Sequence, residues 1–324
     1  MRVELTDDPA AFQNHAWRAL VDAAPEGTFF HTPAYLKVWW EEFGTGSLML
    51  AFVMDGEETV GACAFEAIEG RLQFLGGFDV TDYMGPVSVA GMEREVASEL
   101  IGAVEPSPWA EADLRGVPEG SVWLTALSEA AVGRGLTADR ETDGVAPLIE
   151  LTGSFDAYLA ALPAKLRHEI GRKERRLSEG AAGYRIALST PDSVGEDLDL
   201  FMELHRSSPG DKGRFMRAGM EIFFRRLGEA FLPLHQFHLA FIELEGQKAA
   251  GAIGFAHGNT FSLYNSVFDR RFGKLSPGMV LVAQLIRRAA ERGRRRFDML
   301  KGDLEYKYRF GAVPRQIGRL VLRR

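Results

Sequence analysis

The sequence has a single cysteine, Cys63, in 324 residues. One cysteine closes no intramolecular disulfide and builds no thiolate zinc site by itself. Set in an apolar stretch, Cys63 reads as a buried, inert side chain. Long apolar runs are also missing: none approaches the ~20 residues that span a bilayer. The opening residues, Met1-Arg-Val-Glu-Leu-Thr-Asp-Asp, are acidic and lack an apolar h-region, so they do not read as a secretory signal. The expected location is therefore the cytoplasm. Positive charge is scarce in the first half, where residues 1–150 hold 8 Lys+Arg against 26 Asp+Glu, whereas residues 151–324 hold 30 against 19. The basic half suits an anionic partner, such as a phosphorylated cofactor or RNA. The alternative is mutual attraction between the halves.

The hydrophobic fraction of 46% and charged fraction of 26% are those of a globular protein, and the length allows two domains. An internal repeat supports two. Leu50-Ala-Phe52 recurs as Leu239-Ala-Phe241, and Gly61-Ala-x-x-Phe65 recurs as Gly251-Ala-x-x-Phe255. Each copy reads as a hairpin of two apolar strands around an Asp-Gly or Glu-Gly turn. A third strand follows in each, Arg71–Leu75 and Phe261–Asn265, and then a helix. Chance similarity between two hairpins is the competing explanation. The expected fold is α/β (α+β), with two tandem units, 1–150 and 151–324, each a mixed, mostly antiparallel sheet flanked by helices.

In the first unit, a Thr32 cap and Pro33 predict a helix over 33–43, and a second helix is expected over 93–104. The Pro- and Gly-rich residues 105–120 are expected to connect to a final strand pair. In the second unit, Leu162, Leu166, Ile170 and Leu177 recur at helical spacing in a helix over 155–179. Its other faces are strongly basic. A strand over 184–189 and two helices within 196–232 precede the hairpin. A helix over 278–292, a short strand over 296–300, a helical turn over 305–310 and a last strand over 316–322 complete the unit.

The segment Tyr264-Asn-Ser-Val-Phe-Asp-Arg-Arg-Phe-Gly-Lys-Leu-Ser-Pro-Gly278 runs from strand to basic loop to helix. Free backbone N–H groups and the helix dipole make a helix N-terminus attractive to anions, and glycines let a phosphate approach closely. Arg270, Arg271 and Lys274 would add counter-charge. An ordinary capped turn, with Ser276 as N-cap and Pro277 at the first helical position, accounts equally well for the pattern.

This segment, together with Phe297-Asp-Met-Leu-Lys-Gly-Asp-Leu-Glu-Tyr-Lys307, resembles the GNAT superfamily. More narrowly it resembles the branch with tandem GNAT-like domains: CelD/BioF2-like acetyltransferases and the related FemABX transferases. The resemblance is sharpest over residues 239–310. It implies an acyltransferase that takes acetyl-CoA or another acyl-CoA as co-substrate, uses no metal, and acylates a small-molecule or peptide amine. On that implication the donor is held by Asn265, Ser266, Val267, Arg271, Phe272, Gly273, Lys274, Ser276 and Gly278, with a backbone N–H near Asn265 or Ser266 facing the oxyanion. The candidate bases are Asp298, Asp303 and Glu305. Tyr306 would protonate the departing thiolate, and Lys307 would neutralise a substrate carboxylate or phosphate. His205 is a substrate-side candidate. Each also has a plain structural reading: Asp298 as a turn cap, Tyr306 as a packed aromatic, Lys307 as a salt-bridge partner, His205 as part of an amphipathic helix.

The first copy departs from the pattern. Gly76-Gly-Phe-Asp-Val-Thr-Asp-Tyr-Met-Gly-Pro86 stands in place of the basic loop, with no Lys or Arg between Leu72 and Glu93. An anionic cofactor would be repelled there, so one donor site per chain is expected. Asp79, Asp82 and Tyr83 would instead face an amine substrate across a domain cleft. A second departure is Arg206-Ser-Ser-Pro-Gly, where many relatives carry an Arg-Trp-like pair; substrates of those relatives do not transfer. Two other functions stay open. One is a FemABX-type transfer from aminoacyl-tRNA, with tRNA held by the basic helix and the arginines at 287–296. The other is a non-catalytic module in polysaccharide or cell-envelope synthesis. DNA and membrane-spanning roles are not expected.

Overall fold

Alternating apolar strands and amphipathic helices build the chain in the following order. The computed structural model describes residues 1–77, 79–180, 183–216 and 218–324; Phe78, Ala181, Ala182 and Arg217 lie outside the described residues, and Asp211, Lys212 and Ala218 are described by backbone only. The elements are β1 (Arg2–Thr6), α1 (His15–Ala23), α2 (Pro33–Phe43), β2 (Ser47–Asp55), β3 (Glu58–Ile68), β4 (Arg71–Phe74), β5 (Val87–Ser88), α3 (Glu93–Val104), β6 (Glu111–Pro118), α4 (Val122–Val132), β7 (Thr137–Val145), β8 (Leu148–Glu150), α5 (Phe155–Ala161), α6 (Ala164–Gly180), β9 (Arg185–Leu188), α7 (Val194–Arg206), α8 (Asp211–Phe215), α9 (Ala218–Phe231), β10 (Phe237–Leu244), β11 (Gln247–His257), β12 (Thr260–Phe268), α10 (Pro277–Glu291), β13 (Arg296–Asp298), α11 (Glu305–Tyr308) and β14 (Gln316–Arg323).

Two compact units result: Met1–Ala146 with Arg315–Arg324, and Pro147–Pro314. The first carries a sheet of order β1-β2-β3-β4-β6-β14-β7, with β5 on β3; the second carries β8-β13-β12-β11-β10-β9. Neighbours are antiparallel except β4 with β6 and β12 with β13. Each unit has its own core. Val96, Leu100, Ile101, Leu124 and Leu127 from α3 and α4 cover the first sheet, and Leu281, Leu285 and Ile286 from α10 cover the second.

Four expectations need correction. The last strand does not belong to the second sheet: β14 lies between β6 and β7 in the first. The physical reason is charge as well as apolar pattern. Arg319 meets Asp113 at 2.6 Å and Glu141 at 2.7 Å, and Arg323 meets Glu111 at 3.0 Å and Asp139 at 2.7 Å. Arginines counted with the basic half thus neutralise carboxylates of the acidic half inside one sheet. The unit boundary falls accordingly at Ala146/Pro147, ahead of 150–155. The supposed connection 105–120 contains β6, whose Ala112, Leu114 and Val117 are core, and the helix α4 follows it. The helix over 155–179 is two helices, because Pro163 cannot supply an N–H to a continuous ladder and the chain turns at Leu162.

The hairpins repeat as expected, and comparing their registers shows where the units diverge. In the second unit, Ile253 pairs with Asn265 and Gly254 with Leu263, so Tyr264 is a single bulged residue on β12. In the first, Phe65 pairs with Phe74 on β4 and Ala62 with Val87 on β5. Residues 75–86 therefore occupy the position of that bulge, and Val89–Met92 is the counterpart of the basic loop before α10. The sequence reading equates 76–86 with the basic loop; the register places it one step earlier, as an insertion in the third strand. The insertion is tied down by Tyr35, whose hydroxyl donates to the Val80 carbonyl at 2.8 Å.

Candidate active site

Strands β12 and β13 run parallel and pair only from Thr260/Arg296 to Ser262/Asp298. Beyond that point β12 continues for six residues while β13 stops, so the β12 arm runs on without its parallel partner. Asn265 and Ser266 stand half-buried on the β12 arm, just past the Tyr264 bulge, and Val267 is buried against the core. A bulge bends its strand and re-aims the following side chains and amides. Tyr306 of α11 is half-buried, with its hydroxyl hydrogen-bonded to Ser266; burial raises its phenol above the usual range, against a smaller opposing effect of the serine. Tyr306 therefore carries a proton at neutral pH.

The chain leaves the β12 arm through a 3-10 turn, Arg270–Leu275, and enters α10. Arg271 is exposed and folds back onto Asp269 at 2.6 Å, with its guanidinium 5.6 Å from the Phe272 ring. Gly273 and Gly278 border Phe268, and Lys274 is exposed. Ser276 occupies the N-cap position but makes no side-chain cap. Its backbone is left-handed, at φ 56°, and its Oγ accepts a hydrogen bond from Lys173 Nζ of α6 at 3.2 Å. An ordinary capped turn would point that hydroxyl at the first-turn amides. Here the serine is drawn aside and an ammonium stands at the positive end of the helix. Burial lowers the Lys173 pKa, Glu169 opposes this, and Arg172, Arg309 and Arg176 reinforce it. Lys173 also lies 3.8 Å from the Glu169 carboxylate. Lys173 is not singled out by the sequence, because several faces of its helix are basic.

Other candidates are held in place by the backbone. Asp298 is buried and its Oδ1 accepts the Leu300 N–H at 2.8 Å. Lys307 is buried, and its Nζ donates to the carbonyls of Leu300 at 2.7 Å and Lys301 at 2.9 Å. Between them they clamp Leu300, which adopts a left-handed φ of 56°. The Asp303 carboxylate accepts from the Tyr308 hydroxyl, and Glu305 is exposed and paired with Arg309 at 2.9 Å. His205 is 1% exposed, with its ring between Phe201 and Phe215 at about 6 Å from each. In the first unit, Asp79 is exposed, Asp82 is half-buried, and Tyr83 is buried with its hydroxyl accepting from Arg315.

Residues 164–308 match the family described as acetyltransferase (GNAT) domain. Among solved structures, FemX is similar with a TM-score of 0.71 at 12% identity, covering 98% of this chain and 96% of that one. A conserved protein of unknown function from Bacteroides thetaiotaomicron VPI-5482 gives 0.68 at 15% identity, covering 99% and 100%. A tandem GNAT protein from the clavulanic acid biosynthesis pathway gives 0.52 at 12% identity, covering 98% of each chain. At these identities the likeness is one of fold, and it spans both units. No curated protein matches the sequence.

Proposed function

We propose, taking residues 164–308 as the acetyltransferase (GNAT) domain that they match, that the protein is an acyl-CoA-dependent N-acyltransferase, with acetyl-CoA as donor. The pyrophosphate sits on the turn 270–278, held by backbone amides at the start of α10, by Lys173 and by Lys274. The acyl group lies along the β12 arm beside Asn265 and Ser266. An amine attacks the thioester carbonyl, an amide at the bulge faces the developing oxyanion, and the C–S bond breaks as the C–N bond forms. Tyr306 gives its proton to the departing thiolate and regains one from solvent. The ammonium proton passes to Asp298, directly or through water, and then to solvent. The Tyr83 hydroxyl and the His205 ring are already engaged by neighbours.

The observation that supports this reading most is the Ser276 hydroxyl drawn to Lys173, with the cap left unmade. Calorimetry with acetyl-CoA tests it. The wild type binds, and Gly278→Glu abolishes binding while the fold survives, since an added Cβ meets Phe268 at an ordinary 3.5 Å. Absence of wild-type binding at millimolar acetyl-CoA sinks the proposal. The FemX-like fold keeps aminoacyl-tRNA as the second donor: salt-dependent binding of tRNA without binding of CoA would replace the first reading. CoA binding without turnover on a broad amine panel would mark a non-catalytic module.

A further inference from the structure

At the far end of α10 from the donor turn, four basic side chains border one cavity. His238 comes from β10, Arg288 from α10, Arg292 from its C-terminal end and Arg294 from the following turn, with Leu188 and Phe261 among the apolar walls. Several arginines of the second unit pair with acids, as in Arg309 with Glu305 and Glu169, and Arg185 with Glu243. Among the described residues, no carboxylate forms an ion pair with Arg288, Arg292 or Arg294. Cations at a helix C-terminus complement its dipole, which accounts for an exposed arginine such as Arg292. It does not account for Arg294, which is half-buried and fixed by donation from Nη1 to the Gly258 carbonyl. Nor does it account for a half-buried imidazole facing three guanidinium groups.

We propose that His238, Arg288, Arg292 and Arg294 form a second anion site that takes the phosphate of a small phosphorylated molecule, or free phosphate. Arginine forks match tetrahedral oxyanions. The cavity, of about 20 Å³, admits one or two oxygen-sized groups and no nucleoside, so the ligand enters end-on by its phosphate. Without that anion the cluster repels itself. Burial first, then Arg292, Arg294, Arg288 and the nearby His235, hold the His238 imidazole down to about 4. A bound phosphate offsets that repulsion and favours the imidazolium. The site is independent of the donor site at the other end of the helix.

The experiment follows the His238 ring by NMR in the full chain, with its signals assigned by their loss in His238→Gln. Inorganic phosphate and glycerol phosphate are titrated separately at constant ionic strength and pH 6. Saturable movement of the His238 signals is expected, with a midpoint about tenfold weaker in Arg292→Ala and Arg288→Ala and unchanged in Gly278→Glu. Arg292 is exposed and bears no internal pairing, so its removal leaves the fold intact. A tighter response to glycerol phosphate identifies a phosphomonoester as the ligand, and an equal response identifies free phosphate. The proposal is overturned by static signals, by a response that chloride reproduces, or by one that both arginine variants retain. It is equally overturned if only an RNA oligonucleotide moves them.

Discussion

Residue by residue, the segment 298–307 separates groups that do chemistry from groups that hold the backbone. A left-handed non-glycine residue costs roughly 1–2 kcal/mol, and Leu300 is kept there because Asp298 takes its N–H and Lys307 its carbonyl. Lys307→Met leaves two buried carbonyls without that donor. Thermal or urea unfolding should show a loss of about 3 kcal/mol, within the range for charged hydrogen bonds and unmet buried groups. Asp298 has two roles to distinguish. Asn retains an acceptor for the Leu300 N–H, so Asp298→Asn should unfold nearly as the wild type does. If Asp298 accepts the amine proton, kcat should nevertheless drop about 100-fold; an unchanged kcat confines Asp298 to the turn. Tyr306→Phe should lower kcat by a similar factor with little effect on KM. Because the Tyr306 phenol is raised above its usual value of 10, it stays protonated through pH 9. Activity should therefore show no alkaline loss below pH 10 attributable to this group.

At the scale of elements, the start of α10 depends on a helix distant in sequence. Lys173 lies about a hundred residues before Ser276, yet its ammonium meets the serine hydroxyl. Lys173→Gln should weaken acetyl-CoA binding about tenfold by calorimetry, the size expected for loss of one hydrogen bond between charged groups, with kcat little changed. Wild-type affinity in that variant would restrict Lys173 to orienting Ser276. Helices such as α2 are legible in the sequence because Thr32 and Pro33 mark the start and Gly44 follows the end. The basic turn and the Tyr306 segment are legible because glycine, proline and charge cluster there. Which face of α6 meets α10 is not legible, since cations occupy several faces and the apolar stripe alone sets the rotation. The Tyr264 bulge leaves no periodic mark either. It slips one residue in a strand whose two faces are both largely buried, so alternation gives no register. The insertion 75–86 is visible as glycines and aspartates, but only strand pairing shows that it interrupts a strand.

Across the whole molecule, the contrast between an acidic and a basic half is partly resolved inside one sheet. The C-terminal strand brings Arg319 and Arg323 to Asp113, Glu111, Glu141 and Asp139, so the first unit is completed by residues from the other end of the chain. The entropy of closing so long a loop must be met before β14 contributes to the sheet. Deletion of 315–324 removes the strand between β6 and β7 and exposes apolar surface around Leu114 and Leu124. Limited proteolysis of that deletion should cut the first unit rapidly while fragments covering 147–314 persist longer. The pH dependence points to the same joint. Burial alone would raise the Asp113 carboxyl, but the hydrogen bonds and charges of Arg319 and Arg115 bring it below the ordinary value of 3.8. A carboxyl depressed in the folded state stabilises above its unfolded pKa, and that stability is lost as pH falls through the folded value. The wild-type first unit should therefore weaken only below about pH 4. Arg319→Met removes the largest single hydrogen bond of that compensation and leaves the burial cost, so the carboxyl rises and the acid transition should begin at higher pH. Scanning calorimetry between pH 3 and 7 reads it directly. An acid transition identical to the wild type's would mean that Arg115 alone holds Asp113, and that the C-terminal strand joins the first sheet by apolar packing without help from its charge.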